Sequence, residues 1–315
     1  MRNITDLNIN KVKEVETGYA KINLALDVTG RLDNGYHLVK MIMESISISD
    51  TIEITCSDIP GIRLSIDLSA ITVGAKETVL SAGEDNLIVK SVRGLMDYCK
   101  SKGLIEDKAL AELGLDIHLT KCIPMAAGMA GGSTDAAATL RALNRLFEFG
   151  LSTDELCAIG VKLGADIPYC IRGGSYLSEG IGEVLTPVAM PPKADILIIK
   201  PNIDVSTKYV YEHLDTEGVE THPDVDGMVL ALENKDLVGV TSRLGNVLRD
   251  VTVDKYPIVL ELEEYMKENG ALNSLMSGSG PTVFGIFDSK ESCKAALTAA
   301  KQKYTDMYVS MAEFV

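Results

Sequence analysis

The feature that most constrains this chain is a strand, a glycine-rich loop and a helix that follow one another between residues 115 and 147. Leu115, Ile117 and Leu119 alternate with polar residues, which is the period-two pattern of a strand. Pro124 cannot donate to a strand ladder, so we expect the strand to end before it. Beyond the loop, apolar residues recur at helical spacing: Ala136, Leu140, Leu143 and Phe147.

A helix that begins directly after glycines is suited to binding an anion, because its first N–H groups are unpaired and no Cβ keeps a phosphate from the backbone. Ser133 and Thr134 are good N-cap residues and Asp135 suits the first turn, so we expect the helix to begin there. The loop lacks the Gly-Lys-Ser/Thr ending and the G-x-G-x-x-G spacing of familiar phosphate loops. A glycine-rich turn without a ligand therefore stays open as an alternative.

The string Pro-Met-x-x-Gly-x-x-Gly-Gly-Ser-Thr-Asp-Ala-Ala resembles the phosphate-binding motif of the GHMP kinases, which include galactokinase, homoserine kinase, mevalonate kinase and phosphomevalonate kinase. Its form is most similar to that of the 4-diphosphocytidyl-2-C-methyl-D-erythritol kinases. The chain has Ala126, Ala127 and Ala130 where glycine is common in that family, and each added methyl narrows the loop. The resemblance implies that ATP is bound by residues 124–134: Pro124, Met125, Ala126, Ala127, Gly128, Met129, Ala130, Gly131, Gly132, Ser133 and Thr134.

A strand that begins near Ala20 carries two polar residues on one face. The alternating pattern puts Lys21 and Asn23 together, about 7 Å apart, and Ile22 with Leu26 on the opposite face. In isolation such a lysine is usually a solvated edge charge. The string Ala-Lys-Ile-Asn-Leu resembles the first GHMP kinase motif, which implies that Lys21 is catalytic and that Asn23 binds the acceptor.

The string Asp-x-Gly-Tyr-His at residues 33–37 follows a tight-turn signal, Asn34-Gly35. Without other information, Tyr36 and His37 would be a turn-flanking tyrosine and a surface histidine. The resemblance implies that they contact the cytosine of the substrate, by stacking and by hydrogen bonds to its edge. It also implies that Tyr211, in the segment 206–211, supplies a second aromatic ring.

Gly164-Ala165-Asp166-Ile167-Pro168 places Asp166 near the N-cap of a helix, where N–H groups would keep its carboxylate ionised. A plain capping aspartate explains the pattern equally well. The resemblance implies that Asp166 is catalytic, and we hypothesise that Asp166 and Lys21 form a close pair that faces the transferred phosphate. The resemblance further implies that Lys121 contacts the nucleotide and that Asn86 lies near the adenine, although Asn86 is also explained as a helix-start residue.

The proline-rich segment 186–193 is the best domain boundary, with domains at 1–185 and 186–315. Residues 1–14 are expected to be a loose leader, and a capping box at 152–155 predicts a helix that ends at Gly164. After residue 195, strands and helices follow a β-α-β-β-α-β order, which is ferredoxin-like. The fold class is thus α+β; the resemblance implies a ribosomal-protein-S5-domain-2-like N-terminal domain and the third motif, at 276–280, packed on the phosphate loop.

The net charge of −15 and the absence of a Lys/Arg cluster argue against a nucleic-acid partner. Six scattered cysteines without a C-x-x-C pair are usual for reduced thiols, and no run of about 18 apolar residues predicts a membrane span. We expect a cytoplasmic protein without a membrane partner, either a monomer or a homodimer. The segment 221–226 is interpreted as an acidic loop rather than a metal site.

The resemblance implies an ATP-dependent kinase that phosphorylates the 2-hydroxyl of CDP-methylerythritol in non-mevalonate isoprenoid precursor biosynthesis. ATP implies Mg²⁺, for which Ser133 is the only candidate ligand that we name. One alternative is a GHMP kinase with another acceptor, of the mevalonate or homoserine type, which residues 33–37 argue against. Another is a non-catalytic nucleotide-binding or RNA-binding protein, which the joint presence of Lys21 and Asp166 argues against.

Overall fold

A computed structural model describes residues 13–33, 35–71, 80–214, 219 and 221–315. Its first half contains the following elements: β1 (Lys13–Arg31), β2 (His37–Ser57), β3 (Gly61–Asp67), α1 (Leu87–Ser101), α2 (Asp107–Glu112), β4 (Gly114–Thr120), α3 (Gly131–Leu146), α4 (Thr153–Gly160), α5 (Ile167–Arg172), β5 (Ser175–Glu179) and β6 (Val184–Pro187). Its second half contains these elements: β7 (Asp195–Lys200), α6 (Thr207–His213), α7 (Val225–Glu233), α8 (Leu237–Ser242), β8 (Gly245–Asn246), α9 (Arg249–Lys255), α10 (Ile258–Glu268), β9 (Asn273–Met276), β10 (Val283–Phe287), α11 (Lys290–Lys303) and β11 (Tyr308–Glu313).

The first sheet is built around the long antiparallel hairpin of β1 and β2. Its strand order is β3-β4-β2-β1-β8, and β5 pairs with both β2 and β6. The sequence pattern predicts two strands here, at about 38–48 and at 51–55, but the structure has one continuous strand, β2. The leader prediction was wrong for its last two residues, because Lys13 and Glu14 already pair with β2. Residues 1–12 lie outside the described residues.

The β1–β2 hairpin is buried on both faces. One face packs with α1 and α3 in a first apolar cluster, and the other packs against the second sheet in a second apolar cluster. The pairing register shifts between Asn23–Met43 and Ala25–Ile42, which inserts one extra residue at Leu24. Such a bulge moves the later side chains to the opposite face.

The bulge overturns the predicted face of Leu26, which packs in the first cluster, whereas Ile22 and Leu24 pack in the second. An alternating pattern could not reveal this shift, because Leu24, Ala25 and Leu26 at the bulge are all apolar. As a result Leu26 lines the same cavity as Lys21.

The second sheet is antiparallel, with the strand order β11-β7-β10-β9. Together with α10 and α11 it forms the β-α-β-β-α-β layout, so the α+β prediction is confirmed. The elements α6 to α9 are inserted between β7 and α10. The predicted domain boundary after residue 185 falls inside β6, and β8, from the second half, pairs with β1.

The helix with the capping box begins as predicted: Ser152 and Glu155 cap one another through their side chains and backbone N–H groups. It ends at Gly160 rather than Gly164, because residues 161–164 continue as turns in which Leu163 and Gly164 donate to the Gly160 carbonyl. None of the helices in the described part of the chain is long and apolar enough to cross a membrane.

Candidate active site

A cavity of about 1300 Å³ collects most of the predicted site residues. Lys21 and Asp166 line it, as do Tyr36, His37 and Tyr211. The nucleotide-binding candidates that line it are the following: Asn86, Lys121, Pro124, Met125, Ala126, Ala127, Gly128, Ala130, Gly131, Gly132 and Ser133. Three candidates, Asn23, Met129 and Thr134, are buried behind the lining.

The phosphate loop, residues 124–134, reaches the cavity through left-handed turns. Ala126, Gly128 and Ala130 have φ values of +48°, +70° and +58°. A left-handed conformation is strained for alanine because its Cβ approaches the following carbonyl oxygen. The two alanines therefore occupy positions where the backbone favours glycine.

Helix α3 begins at Gly131, with Ala130 as an N-cap that has no side-chain hydrogen bond. The prediction that Ser133 or Thr134 caps this helix was therefore wrong. The Thr134 hydroxyl instead donates to the Tyr19 carbonyl of β1, at 2.8 Å. Because no side chain caps the helix, the N–H groups of its first turn remain available to bind an anion.

The loop packs against the turn at residues 277–280, as the resemblance implied. The Ser277 hydroxyl donates to the Gly128 carbonyl at 3.0 Å, and a Cβ on Gly128 would lie 2.3 Å from the Ser277 carbonyl oxygen. The loop is also tied to β1, because the Lys21 N–H donates to the Met129 carbonyl. Gly128 thus allows contact between the two halves of the chain.

Lys21 is only 5% exposed, and its amine donates to Asn23 Oδ1 at 2.5 Å. Asn23 in turn donates to the Met41 sulfur at 3.3 Å, so its side chain holds the lysine. The shared strand face of Lys21 and Asn23 is as predicted. In the described residues, Lys21 and Asp166 form no ion pair within 4.0 Å, so the close pair is not present.

Asp166 stands at the N-cap position of α5 but accepts no capping hydrogen bond. The expectation that helix N–H groups hold its carboxylate was therefore wrong. Its backbone is helical, with φ −78° and ψ −15°, whereas a capping residue usually has an extended backbone. The carboxylate lines the cavity instead.

At the other end of the cavity, the rings of His37 and Tyr211 lie 5.1 Å apart at 36°. Burial, and then the positive charge of Arg31, lower the pKa of His37. Burial, and then the negative charge of Asp166, raise the pKa of Tyr211. Tyr36 is 58% exposed, at the rim of the cavity. Asn34 of the predicted turn lies outside the described residues.

Asn86 fits both of its predicted interpretations. Its Oδ1 accepts the Ile88 N–H at 2.8 Å, which caps α1, and its Nδ2 donates to the Ser81 carbonyl. The same side chain lines the cavity. Capping therefore fixes the position at which Asn86 faces the cavity.

Lys121 is 2% exposed and lies in a buried cluster with two carboxylates. Its amine contacts Asp50 at 2.5 Å and Asp135 at 2.8 Å. Burial raises the pKa of Asp135, against the opposing attraction of Lys121. Asp135 is on the second turn of α3 and not on the first as expected. Sequence reasoning missed Asp50, because a lone aspartate on a strand carries no local signal.

The other acidic and histidine side chains that suggested a metal are used in protein contacts. His222 contacts Asp27 at 2.6 Å, Asp226 pairs with Lys40, and Asp224 caps α7. No group of three or more His, Cys, Asp or Glu residues that could hold a metal occurs in the described residues.

The family models "GHMP kinases N terminal domain" and "GHMP kinases C terminal" match residues 86–174 and 228–306. A 4-diphosphocytidyl-2-C-methyl-D-erythritol kinase from Lachnospira eligens is 44% identical over 284 residues, which cover 90% of this chain and 92% of the relative. One from Lachnoclostridium phytofermentans is 46% identical over 278 residues, which cover 88% and 89%.

Solved structures agree with these relatives. A crystal structure of 4-(cytidine 5'-diphospho)-2C-methyl-D-erythritol kinase aligns with a TM-score of 0.73 and 26% identity, over 95% of this chain and 98% of that chain. Mevalonate kinase of L. major has a TM-score of 0.74 at 18% identity, over 98% and 97%, and shares the fold. The chain therefore belongs to the GHMP kinase family, and within it to the 4-diphosphocytidyl-2-C-methyl-D-erythritol kinases.

Proposed function

We propose that this protein transfers the γ-phosphoryl group of ATP to the 2-hydroxyl of 4-diphosphocytidyl-2-C-methyl-D-erythritol, in non-mevalonate isoprenoid precursor biosynthesis. The observation that carries the proposal is that one cavity holds both a phosphate loop and the His37–Tyr211 ring pair. A phosphoryl-transfer enzyme needs positioning and charge stabilisation more than covalent chemistry. The sequence relatives named above support this choice of acceptor.

The nucleotide is assigned to the loop side of the cavity. Its phosphates would meet the uncapped start of α3, and its adenine would lie near Asn86. A Cβ on Gly132 would lie 3.4 Å from Leu87, so substituting this glycine would place a methyl at the helix start without a severe protein clash. Ser133 lines the cavity in the first turn of α3 and is the residue that we assign to Mg²⁺. The metal would supply charge neutralisation on the phosphates.

The acceptor is assigned to the other side. Its cytosine would stack between Tyr36 and Tyr211, and His37 would bond the base edge. The lowered pKa of His37 favours its neutral ring, which offers one donor and one acceptor. Asn23 acts from behind the cavity lining by holding Lys21.

In the transfer step, the acceptor oxygen forms a bond to the γ-phosphorus while the bond from that phosphorus to the β,γ-bridging oxygen breaks. Asp166 takes the proton of the hydroxyl, for which its carboxylate is available because it caps no helix N–H. Lys21 stabilises the negative charge on the transferred group, and its hydrogen bond to Asn23 fixes its amine. Lys121 lines the cavity beside Gly131, and because its amine is paired with Asp50 and Asp135, its contribution to nucleotide binding is to hold the loop in place.

The test is a phosphorylation assay with ATP-Mg²⁺ and three acceptors: CDP-methylerythritol, mevalonate and homoserine. We expect product from the first acceptor alone, with ATP consumed in equal amount. Turnover of mevalonate or homoserine at a similar rate would replace the proposed acceptor. ATP binding without turnover of any acceptor would favour a non-catalytic nucleotide-binding protein.

We also propose that the protein acts in the cytoplasm, where thiols stay reduced. The six cysteines are free of disulfides, and burial raises the pKa of Cys99 to about 12, which leaves this thiol unreactive. For the oligomeric state we retain a monomer or a homodimer, which light scattering of the purified protein distinguishes.

A further inference from the structure

Three charged side chains meet beneath the phosphate loop, away from solvent. Asp50 is 0%, Lys121 2% and Asp135 3% exposed. Burying charges is costly unless they are paired and hydrogen-bonded, so a cluster of this kind needs an explanation beyond stability. We call it the Asp50–Lys121–Asp135 cluster.

Each carboxylate of this cluster holds a different end of the loop. Asp50 Oδ1 accepts the N–H groups of Cys122 and Ile123, at 2.6 and 2.8 Å, and this segment leads into Pro124. Asp135 lies on α3, the helix that leaves the loop. Lys121 joins the two carboxylates, so the entry and the exit of the loop are connected through one buried amine.

The cluster also lies directly under the part of the loop that faces the cavity. A Cβ on Gly131 would be 2.9 Å from the Lys121 amine, so the first residue of α3 rests on this side chain. The chain residues that line the cavity here, Gly131 and Gly132, have no side chains of their own to fix their position. The direction of their backbone N–H groups therefore depends on the residues that pack against the loop, such as Lys121 and Ile123.

We propose that Asp50 is a positioning residue for ATP: by anchoring Cys122, Ile123 and Lys121, it holds the loop in the conformation that binds the phosphates. This inference rests on the proposed function, because it takes the loop as the phosphate site. Residues that orient a binding group without touching the ligand typically contribute about 10- to 100-fold in affinity, as second-shell partners of metal ligands do. Asp50 acts through hydrogen bonds and charge, and it does not reach the reacting atoms.

The first test is Asp50→Asn, which keeps the shape of the side chain and removes its charge. We expect ATP affinity in calorimetry to fall about tenfold and the KM for ATP to rise equally, with the KM for the acceptor changed less than about twofold. Deuterium exchange should become faster in residues 121–134. The matched control is Asp116→Asn on β4, which removes an exposed pair with Arg63 and should change neither affinity nor exchange at the loop.

A merely structural role would lower the melting temperature of Asp50→Asn and leave ATP affinity unchanged, and that result would overturn the proposal. If Asp50→Asn does not fold, Asp50→Glu decides, because it keeps the charge opposite Lys121 but displaces the carboxylate by one methylene. We expect about threefold weaker ATP binding and faster exchange at 122–123. Unchanged binding in that variant would also overturn the proposal.

These measurements separate the inference from the proposed function. If the wild-type protein binds ATP but phosphorylates none of the acceptors, the proposed function fails, and calorimetry of the Asp50 variants still decides the positioning role. If the wild type phosphorylates CDP-methylerythritol and the Asp50 variants bind ATP normally, only the positioning role fails.

Discussion

Two aspartates in this protein, Asp166 and Asp50, differ in the surroundings of their carboxylates and in the roles that we propose for them. Asp166 lines the cavity without a capping bond, whereas Asp50 is buried and accepts two backbone N–H groups. The sequence predicted Asp166 because it stands in a recognisable string of five residues. It could not predict Asp50, because the partners of that carboxylate come from the segment that follows β4, about seventy residues away. A local sequence motif can thus point to a functional residue such as Asp166. It cannot point to a residue such as Asp50, whose role depends on contacts with distant parts of the chain.

The role of Asp166 can be separated from helix capping by one substitution. Asp166→Asn keeps the shape and removes the charge, so we expect kcat to fall by about 100-fold or more, with both KM values little changed. Because Asp166 makes no capping bond, the melting temperature should stay the same. Steady-state kinetics and circular dichroism measure both quantities.

Asp154→Asn is the matched control. Asp154 is a mostly exposed residue of α4, and it pairs with Arg172 at the end of α5, the helix that begins after Asp166. We expect it to keep kcat within about twofold of the wild type. If Asp166→Asn retained most of the wild-type kcat, the proposed proton transfer to Asp166 would be wrong.

Among the elements, those with a clear period were predicted best. The sequence pattern predicts a helix at about 290–303 and strands at about 272–276, 282–288 and 306–312. Helix α11 has these bounds, and β9, β10 and β11 begin and end within two residues of them. The bulge at Leu24 and the early start of α3 were missed, because both follow from backbone geometry that one residue type does not reveal. The phosphate loop was located by its composition, but its left-handed alanines were visible only in the structure.

The strain in the loop gives a prediction about stability. Ala130→Gly removes a Cβ from a left-handed residue, and the relief of strain should raise the free energy of unfolding by about 1–2 kcal/mol. The greater entropy of the unfolded glycine chain lowers it by about 0.4–1 kcal/mol. We expect the free energy of unfolding in urea to rise by about 0.5–1 kcal/mol. The same result is expected for Ala126→Gly, at φ +48°.

The control lies in the same loop. Ala127 is 4% exposed and does not have a positive φ, so Ala127→Gly loses buried methyl surface and releases no strain. We expect this variant to be less stable by about 1–2 kcal/mol. Destabilisation of all three glycine variants to the same degree would show that the left-handed alanines carry no strain.

At the scale of the whole molecule, the interface between the two sheets contains a buried acid. Glu44 on β2 is 0% exposed, faces the side of Ile22, and accepts a hydrogen bond from Ser175. Burial raises the pKa of Glu44 well above its usual value, although Ser175 and the charge of Lys235 oppose the shift. At pH values between the unfolded and the folded pKa, the folded protein therefore keeps a proton on Glu44 that the unfolded chain has released.

This difference fixes the sign of a pH effect. The stability that Glu44 contributes is fully present below the pKa of about 4.3 that a glutamate has in an unfolded chain, and it is lost as the pH rises through the higher folded pKa. Glu44→Gln cannot ionise, so its melting temperature should fall less than that of the wild type as the pH is raised from acidic to mildly alkaline values.

Glu53→Gln, on the same strand, is the control. The hydrogen bond from Lys13 lowers the pKa of Glu53, which is half-buried, so this variant should not reduce the loss of stability at high pH. Melting temperatures across the pH range test both variants. Parallel curves for Glu44→Gln and the wild type would mean that Glu44 is already ionised in the folded protein.

The short strand β8 has a consequence for how this protein can be divided. It comes from the second half of the chain yet pairs with β1, and the turn at 277–280 contacts Gly128. A fragment that ends after β6 would therefore have a bare edge on β1 and a phosphate loop without its neighbour. Two halves expressed from separate genes would have to associate before either contained a complete site. In the intact chain the covalent connection makes this bimolecular association unnecessary.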